Sequence, residues 1–426
     1  MPQYLSPGVY VEYVPPASLP VAGVATSVAG FIGVVADNVT MPEQPGQFQK
    51  DDEGNLVLDD EGNPVPAPYE RATAGEPTLI TSWEEFKTRF GDFQEGNKIL
   101  AHAVYGFFFN GGSRCYVLRV AAATKAAAAT EAALATQAAA ATQTSTATDI
   151  DNPAEELEKF ETVDEITIVA VPGAISQTQH TAIIAHCAKM GDRVAILDGN
   201  ADQEPSNVSG IRPVGRSQQA SYAAIYYPWI KVFDPVSNAP DTLPPSGHLA
   251  GIYARNDATR GVFKAPANEV IVNALDVSRP ISKAQQDGLN PEGINVIRSF
   301  KGTIKVWGAR TMADDANADF RYVSTRRYFN YLQESIDDGT QFAVFEPNNL
   351  ALWQRIKRTV GDFLLNEWRD GALFGETPEQ AFFVKCDAET NPKEVRELGQ
   401  VVALIGVAIV KPAEFVIFRI QQTAGE

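Results

Sequence analysis

Cysteine is scarce in this chain of 426 residues: Cys115, Cys187 and Cys386 are the only three, and they lie far apart. An odd number with no short spacing supports neither a disulfide framework nor a zinc site, so buried, reduced thiols are expected. Histidine is almost as rare. His180 and His186 share a predicted helix with Cys187, but no histidine pair has the i,i+4 spacing of a zinc helix. Long apolar runs are missing too. The longest, Val401 to Val410, falls well short of the ~20 residues that cross a bilayer, so no stable membrane insertion is expected. Positive charge is in deficit. Lys and Arg number 35 against 53 Asp and Glu, a formal net charge of −18, which disfavours direct nucleic-acid binding. The patterns G-x-G-x-x-G, G-x-x-x-x-G-K-[ST] and G-x-S-x-G do not occur, which removes the obvious sites for a nucleotide-driven motor and for a hydrolase elbow. No cofactor and no metal is therefore expected. The opening MPQYLSPGVYVEYV has no basic region ahead of an apolar core, so no secretory signal is expected.

What is present is the composition of a packed protein, 44% hydrophobic and 21% charged, with length for two or three domains. Val9, Val11 and Tyr13 alternate with Tyr10, Glu12 and Val14, which predicts a strand in an extended arm over residues 1–20, stiffened by Pro15, Pro16 and Pro20. Val28 to Val35 reads as a buried strand. A polar insertion over residues 41–77 carries a tandem repeat, DDEGNLVL (Asp51–Leu58) then DDEGNPVP (Asp59–Pro66). It lacks the ligand spacing of a calcium loop and predicts a surface hairpin or solvated loop. Ser82 and Glu85 have capping-box spacing ahead of Trp83, Phe86 and Phe90, and Gly91 ends that helix. A second helix is expected from Asn97 to Phe109, and a strand from Cys115 to Val120. An insertion over residues 121–160 begins with an Ala/Thr-rich stretch, residues 121–148, that has no apolar stripe to anchor a helix.

From Glu165 short apolar strands alternate with helices. Strands at Ile166–Gly173, Arg193–Leu197 and Tyr222–Tyr227 and a helix at Thr178–Met190 predict an α/β domain over residues 21–286 with a largely parallel, doubly covered sheet. Beyond it an α+β domain over residues 287–411 is expected. Its paired strands are Ile294–Phe300 and Thr303–Val306, and its helices are Phe320–Ile336 and one capped by Asn348 or Asn349. Trp353, Ile356, Val360, Phe363 and Leu364 mark that second helix's apolar face, while Arg355, Lys357, Arg358 and Arg369 occupy other faces. This basic stripe is either a solvated face or a contact for an acidic partner. Phe382–Lys385 reads as a strand. Phe415, Val416, Ile417, Phe418, Arg419 and Ile420 predict another, in a C-terminal arm over residues 412–426.

The polar stretch from Pro244 to Asn268 holds Ser246, His248, Arg255, Asp257, Arg260 and Lys264. A Ser/His/Asp triad fails there, because residues two apart on a helix point to separate faces. A helix start, an ion pair of Asp257 with Arg260 and a turn-rich link between the two domains are expected instead.

One set of motifs runs nearly end to end: YLSPGVYVE (Tyr4–Glu12), ITSWEEFKTRFG (Ile80–Gly91), GFFFNGGSRCYVLRV (Gly106–Val120), YYPWI (Tyr226–Ile230), the Pro244–Asn268 stretch, LNPEGINVIRSF (Leu289–Phe300), WGARTM (Trp307–Met312), RRYFNYLQESI (Arg326–Ile336) and FEPNNLALWQRI (Phe345–Ile356). By their number and order the chain resembles contractile tail sheath proteins of myophages, R-type bacteriocins and phage-tail-like injection systems. The resemblance implies a subtilisin-like α/β domain without the protease's active residues, a C-terminal α+β domain facing the tube, and strand arms at both ends that add to neighbours' sheets. It implies stacked hexameric rings around an inner tube protein, with baseplate and terminator or cap proteins as further partners. It also implies assembly in the bacterial cytoplasm and ATP-independent contraction that drives the tube through a membrane. The arm strands would be Val9–Tyr13 and Phe415–Ile420, and Arg355, Lys357 and Arg358 would be candidates for tube contact. A non-contractile scaffold and a hydrolase using Ser246 are the alternatives.

Overall fold

The computed structural model describes residues 21–121 and 150–417. The expected N-terminal arm with Val9, Tyr10, Val11, Glu12 and Tyr13, nearly all of the Ala/Thr-rich stretch, and Phe418, Arg419 and Ile420 lie outside the described residues. The chain divides into two compact units. Among the described residues one comprises 25–121, 150–331 and 411–417, the other 21–24 and 332–410.

The strands are β1 (Ala29–Val34), β2 (Glu43–Phe48), β3 (Pro66–Pro68), β4 (Pro77–Ile80), β5 (Cys115–Val120), β6 (Ile168–Ala170), β7 (Val194–Asp198), β8 (Ala223–Tyr227), β9 (Ile230–Asp234), β10 (Ala239–Leu243), β11 (Glu269–Val270), β12 (Asp276–Val277), β13 (Ile294–Phe300), β14 (Thr303–Val306), β15 (Phe382–Lys385) and β16 (Leu404–Val407). The main helices are α1 (Trp83–Phe90), α2 (Lys98–Phe109), α3 (Ala154–Lys159), α4 (Gln177–Met190), α5 (Ser246–Arg260), α6 (Lys283–Leu289), α7 (Val323–Thr340) and α8 (Leu350–Arg369).

In the larger unit a nine-stranded sheet runs β11-β14-β13-β8-β7-β6-β1-β5-β4. Its middle, from β13 to β5, is parallel, and β4, β14 and β11 pair antiparallel at the two edges. The apolar runs are buried on both faces, as the two-residue side-chain period of a strand requires. Phe31, Ile168, Ile196 and Tyr226 join a core with α1, α2 and α5. Their neighbours Ile32, Val169, Leu197 and Ile225 join a second core with α3, α4 and α6. Helices cover both sides of the sheet.

The structure moves two expected boundaries. Ile294 to Val306 was assigned to the C-terminal domain, yet β13 pairs in parallel with β8, Ile294 opposite Ile225, and β14 extends the same sheet. The unit runs on to Tyr331, because these strands bury their apolar faces on its two cores. Residues 21–24 fall in the smaller unit. There Val21 occupies the space a side chain at Gly339 would need, and the Val24 amide donates to Ser335 Oγ at 3.2 Å.

The acidic repeat forms two copies of one turn. The amides of Glu53 and Asn55 donate to Asp51 Oδ1 at 3.0 and 2.8 Å, and those of Glu61 and Asn63 donate to Asp59 Oδ1 at the same distances. Gln49, Val57 and Val65 close a ring of backbone bonds at the base of both turns, above the β2–β3 pair. The aspartates serve their own loops. Bonds led by the Asn55 and Asn63 amides hold both carboxyls below the usual range.

In the smaller unit Asn349 caps α8, its Oδ1 accepting from the Leu352 amide at 3.1 Å, while Asn348 Oδ1 accepts from Trp353 Nε1 at 2.8 Å. Leu352, Trp353, Ile356, Val360, Phe363 and Leu364 form the buried face. Strands β15 and β16 form a separate antiparallel pair, Phe382 opposite Val407.

Candidate functional site

Helix α5 carries the polar stretch that first suggests chemistry, and it is the buried centre of the larger unit rather than a link. Gly247 and Gly251, one turn apart, face α2 so closely that a side-chain carbon on either would collide with the Ala103 backbone or the Phe107 carbonyl. The His248 ring fills the space beside Gly106. Ser246 Oγ donates to Asp198 Oδ2 at 2.7 Å and its amide to Oδ1 at 3.0 Å, so the serine fixes the helix start to the end of β7. Asp257 pairs with Arg327, not with the expected Arg260, because Arg327 projects from α7 into the same buried space. Arg255 donates to the carbonyls of Asn110 and Val270, and Asn256 to that of Lys264.

Ser246, His248 and Asp257 are therefore not brought together. Burial pushes His248 down to about 3 and Asp198 up to about 7. Neither His248 ring nitrogen has a partner among the described residues. An imidazole without an acceptor and a serine committed to a buried carboxyl make no nucleophile. His180, His186 and Cys187 sit on α4. Among the described residues no cluster of His, Cys, Asp and Glu could hold a metal ion.

Two other places face outward. On α8 the three basic candidates part company. Lys357 and Arg358 are exposed, and among the described residues neither enters an ion pair. Arg355 lies at the edge of the buried face, its guanidinium 4.0 Å over the Phe342 ring. Leu350, 62% exposed, stands two turns before Lys357 and so on the same stripe. Just ahead of the helix Phe345 is fully exposed at a φ of +64°, a left-handed conformation that a bulky residue rarely adopts. Sequence periodicity did not single out Leu350 or Phe345, since one apolar residue off the core stripe has no pattern.

The second place is the start of the C-terminal arm. Phe415, Val416 and Ile417 were expected to form a strand, but they carry none and are exposed at 71, 68 and 79%. A strand needs a neighbour to take its backbone bonds, and the described chain supplies none here. The residue before them is fixed. Glu414 accepts from Arg310 Nε and Nη2 at 2.9 and 2.7 Å, from Asn290 Nδ2 at 2.7 Å and from the Tyr322 hydroxyl at 2.8 Å. Burial would raise its pKa, but these donors outweigh it and hold the carboxyl below its usual range.

Comparison with known proteins fits this set of parts. Residues 143–312 match the phage tail sheath protein central domain, and residues 315–423 match the phage tail sheath C-terminal domain. The chain is 30% identical to a subunit of the anti-feeding prophage helical sheath in its contracted state, covering 98% of this chain and 99% of that one, with a TM-score of 0.69. The chain belongs to the tail sheath family. A sheath complex of an extracellular contractile injection system, PVC, in its contracted state is 27% identical over 99% of both chains, with a TM-score of 0.70. The tail sheath protein of Burkholderia phage BcepMu is 29% identical over 46% of this chain and 42% of its own length. The chain spans less than two thirds of the length of the curated relatives it first matches. For a sheath protein, α5 is an internal packing hub. The α8 stripe and Phe415–Ile417 are exposed.

Proposed function

We propose that this chain is a structural subunit of a contractile sheath, polymerised as stacked hexameric rings around an inner tube. The end-to-end likeness to the helical sheath subunit carries this reading. Strand arms at both ends join each subunit to its neighbours. The exposed run Phe415–Ile417 supports this at one end, and Val9–Tyr13 is the counterpart at the other. The β15–β16 pair, with exposed Phe383 and Leu404, offers sheet edges for such addition.

The subunit moves largely as a body, which its buried α5 hub supports, and the sheath passes from a metastable extended lattice to a shorter, wider one. New interfaces supply the free energy, so no ATP is consumed. A gain of about 1–3 kcal/mol per subunit, the size of ordinary coupling energies, sums over many copies to a large stroke. Lys357 and Arg358 meet an acidic tube surface, and baseplate and cap proteins bound the polymer. The α/β unit is subtilisin-like in layering and carries no catalytic role. Assembly in the bacterial cytoplasm precedes incorporation into a tail or tail-like particle. Electron microscopy of purified polymers tests the reading: two tube states of different length and diameter support it, and one invariant state supports a non-contractile scaffold.

A further inference from the structure

We propose that Glu414 is the fixed root of the C-terminal arm, the point at which pull from a neighbouring copy enters the larger unit. The inference rests on the arm reading above. Its geometry is independent of that reading.

The three donors to Glu414 come from separate segments. Asn290 follows α6, Arg310 follows β14, and Tyr322 precedes α7. The segments are joined to one another without the carboxylate. Asn295 Oδ1 accepts from the Arg310 amide at 2.7 Å, while its Nδ2 donates to the Arg310 carbonyl at 2.7 Å and to that of Ile225 on β8 at 3.2 Å. Arg310 Nη1 donates to the Asn290 carbonyl at 3.1 Å, and Arg310 and Tyr322 form a backbone bridge. Arg310 is thus bound to a central strand of the sheet from below and presents two parallel donors to Glu414 from above. Such a two-point bond fixes direction as well as position. Both side chains are mostly buried, 14% and 19% exposed, which limits competition from water. Lys411 adds a weaker exposed pair with Asp319 at 3.3 Å on the same stretch.

The chain changes character at this residue. Lys411 and Glu414 pair with side chains of the larger unit. Immediately after Glu414, three large apolar side chains stand in solvent. A clamp at that point sets where the arm departs and lowers the entropy lost when a second copy captures it. It also makes a pull on the arm act on three segments at once.

The test compares the full chain with Glu414→Ala, Arg310→Met and a deletion of residues 415–426. Thermal unfolding and the yield of ordered tubes are measured at equal concentration. The expected result is a lower melt for each single substitution, which leaves a mostly buried partner unpaired, at least a tenfold drop in tube yield, and a double variant no worse than either single one. Unaltered tube yield with Glu414→Ala, while the deletion forms no tubes, overturns the inference and leaves the arm reading standing. Tubes formed by the deletion overturn the arm reading, and the inference with it. Against that lower melt, the paired Glu414→Met and Arg310→Met chain has no orphaned charge. Unaltered tube yield from that chain overturns the inference, and a tenfold loss supports it.

Discussion

Asp257 on α5 receives two hydrogen bonds from the Arg327 guanidinium of α7, at 2.6 and 2.9 Å, in a site where the side chains are 5% and 3% exposed. Thr26 Oγ1 adds a third at 2.7 Å, and Arg327 lies 4.8 Å over the Tyr253 ring. Removing one partner leaves a buried charge alone. Asp257→Ala or Arg327→Ala is expected to lower stability by about 3–5 kcal/mol in urea unfolding, with the double variant less damaged than the sum.

Close approach of α2 and α5 gives a second expectation. Gly251→Ala places a methyl against the Phe107 carbonyl and the Asn110 side chain, and the helices must separate. A loss of about 2–3 kcal/mol is expected, as for overpacked cores. Gly361→Ala, on the outer stripe of α8 with open space around it, should cost nothing and can add stability through helix propensity. Parallel thermal melts check the pair.

Acid should weaken the fold through its buried histidines. Burial takes His248 to about 3 and His180 and His186 to about 4, against 6.5 when unfolded. A lowered histidine pKa gives stability that is present above pH 6.5 and lost as pH falls toward the folded value. Each group then costs about 2 kcal/mol on going from pH 7 to pH 5. Asp198, raised to about 7 by burial, runs the other way. Its contribution grows as pH falls through 7, offsetting about one histidine. His248→Leu removes two unpartnered ring nitrogens, so stability at pH 7 should hold or rise. Its loss between pH 7 and pH 5 should shrink by about one histidine's share, about 2 kcal/mol. Urea midpoints at the two pH values check this.

The α8 stripe predicts a division of labour. Lys357→Glu and Arg358→Glu should leave the melt within about 0.5 kcal/mol, as exposed changes do, while weakening association with the inner tube. Arg355→Ala should act on the fold instead, through its packing on Phe342. Co-sedimentation with tube protein and a melt of each variant separate the two.

Much of the architecture was legible in the sequence because its elements carry local signals. Cys115–Val120, Ile294–Phe300, Thr303–Val306 and Phe382–Lys385 were read with the bounds observed, and Ser82 and Asn349 cap the helices expected of them. Ownership of an element was not legible. Nothing local in Ile294–Phe300 says that it pairs with Ala223–Tyr227, far earlier in the chain, since sheet partners are chosen by the whole fold. The same limit hid Arg327 as the partner of Asp257, and Arg310 as that of Glu414. The strand expected at Phe415 fails in the single chain for a related reason: pattern reports a capacity to pair, and pairing needs an edge.

Tube formation should also depend on the far end of the chain. A chain lacking residues 1–14 is expected to fold, with an unchanged melt for the larger unit, and to form no ordered tubes by negative-stain microscopy. Ordered contractile tubes from that deletion would show that the N-terminal arm is not needed for assembly.

Cryo-electron microscopy of assembled particles before and after triggering decides whether the sheath contracts. An extended lattice and a shorter, wider one are expected, with the larger unit superimposing between them and the chain ends bridging neighbours in both. A single lattice of unchanged length and diameter, or subunits joined without their chain ends, would rule out contraction through linked chain ends.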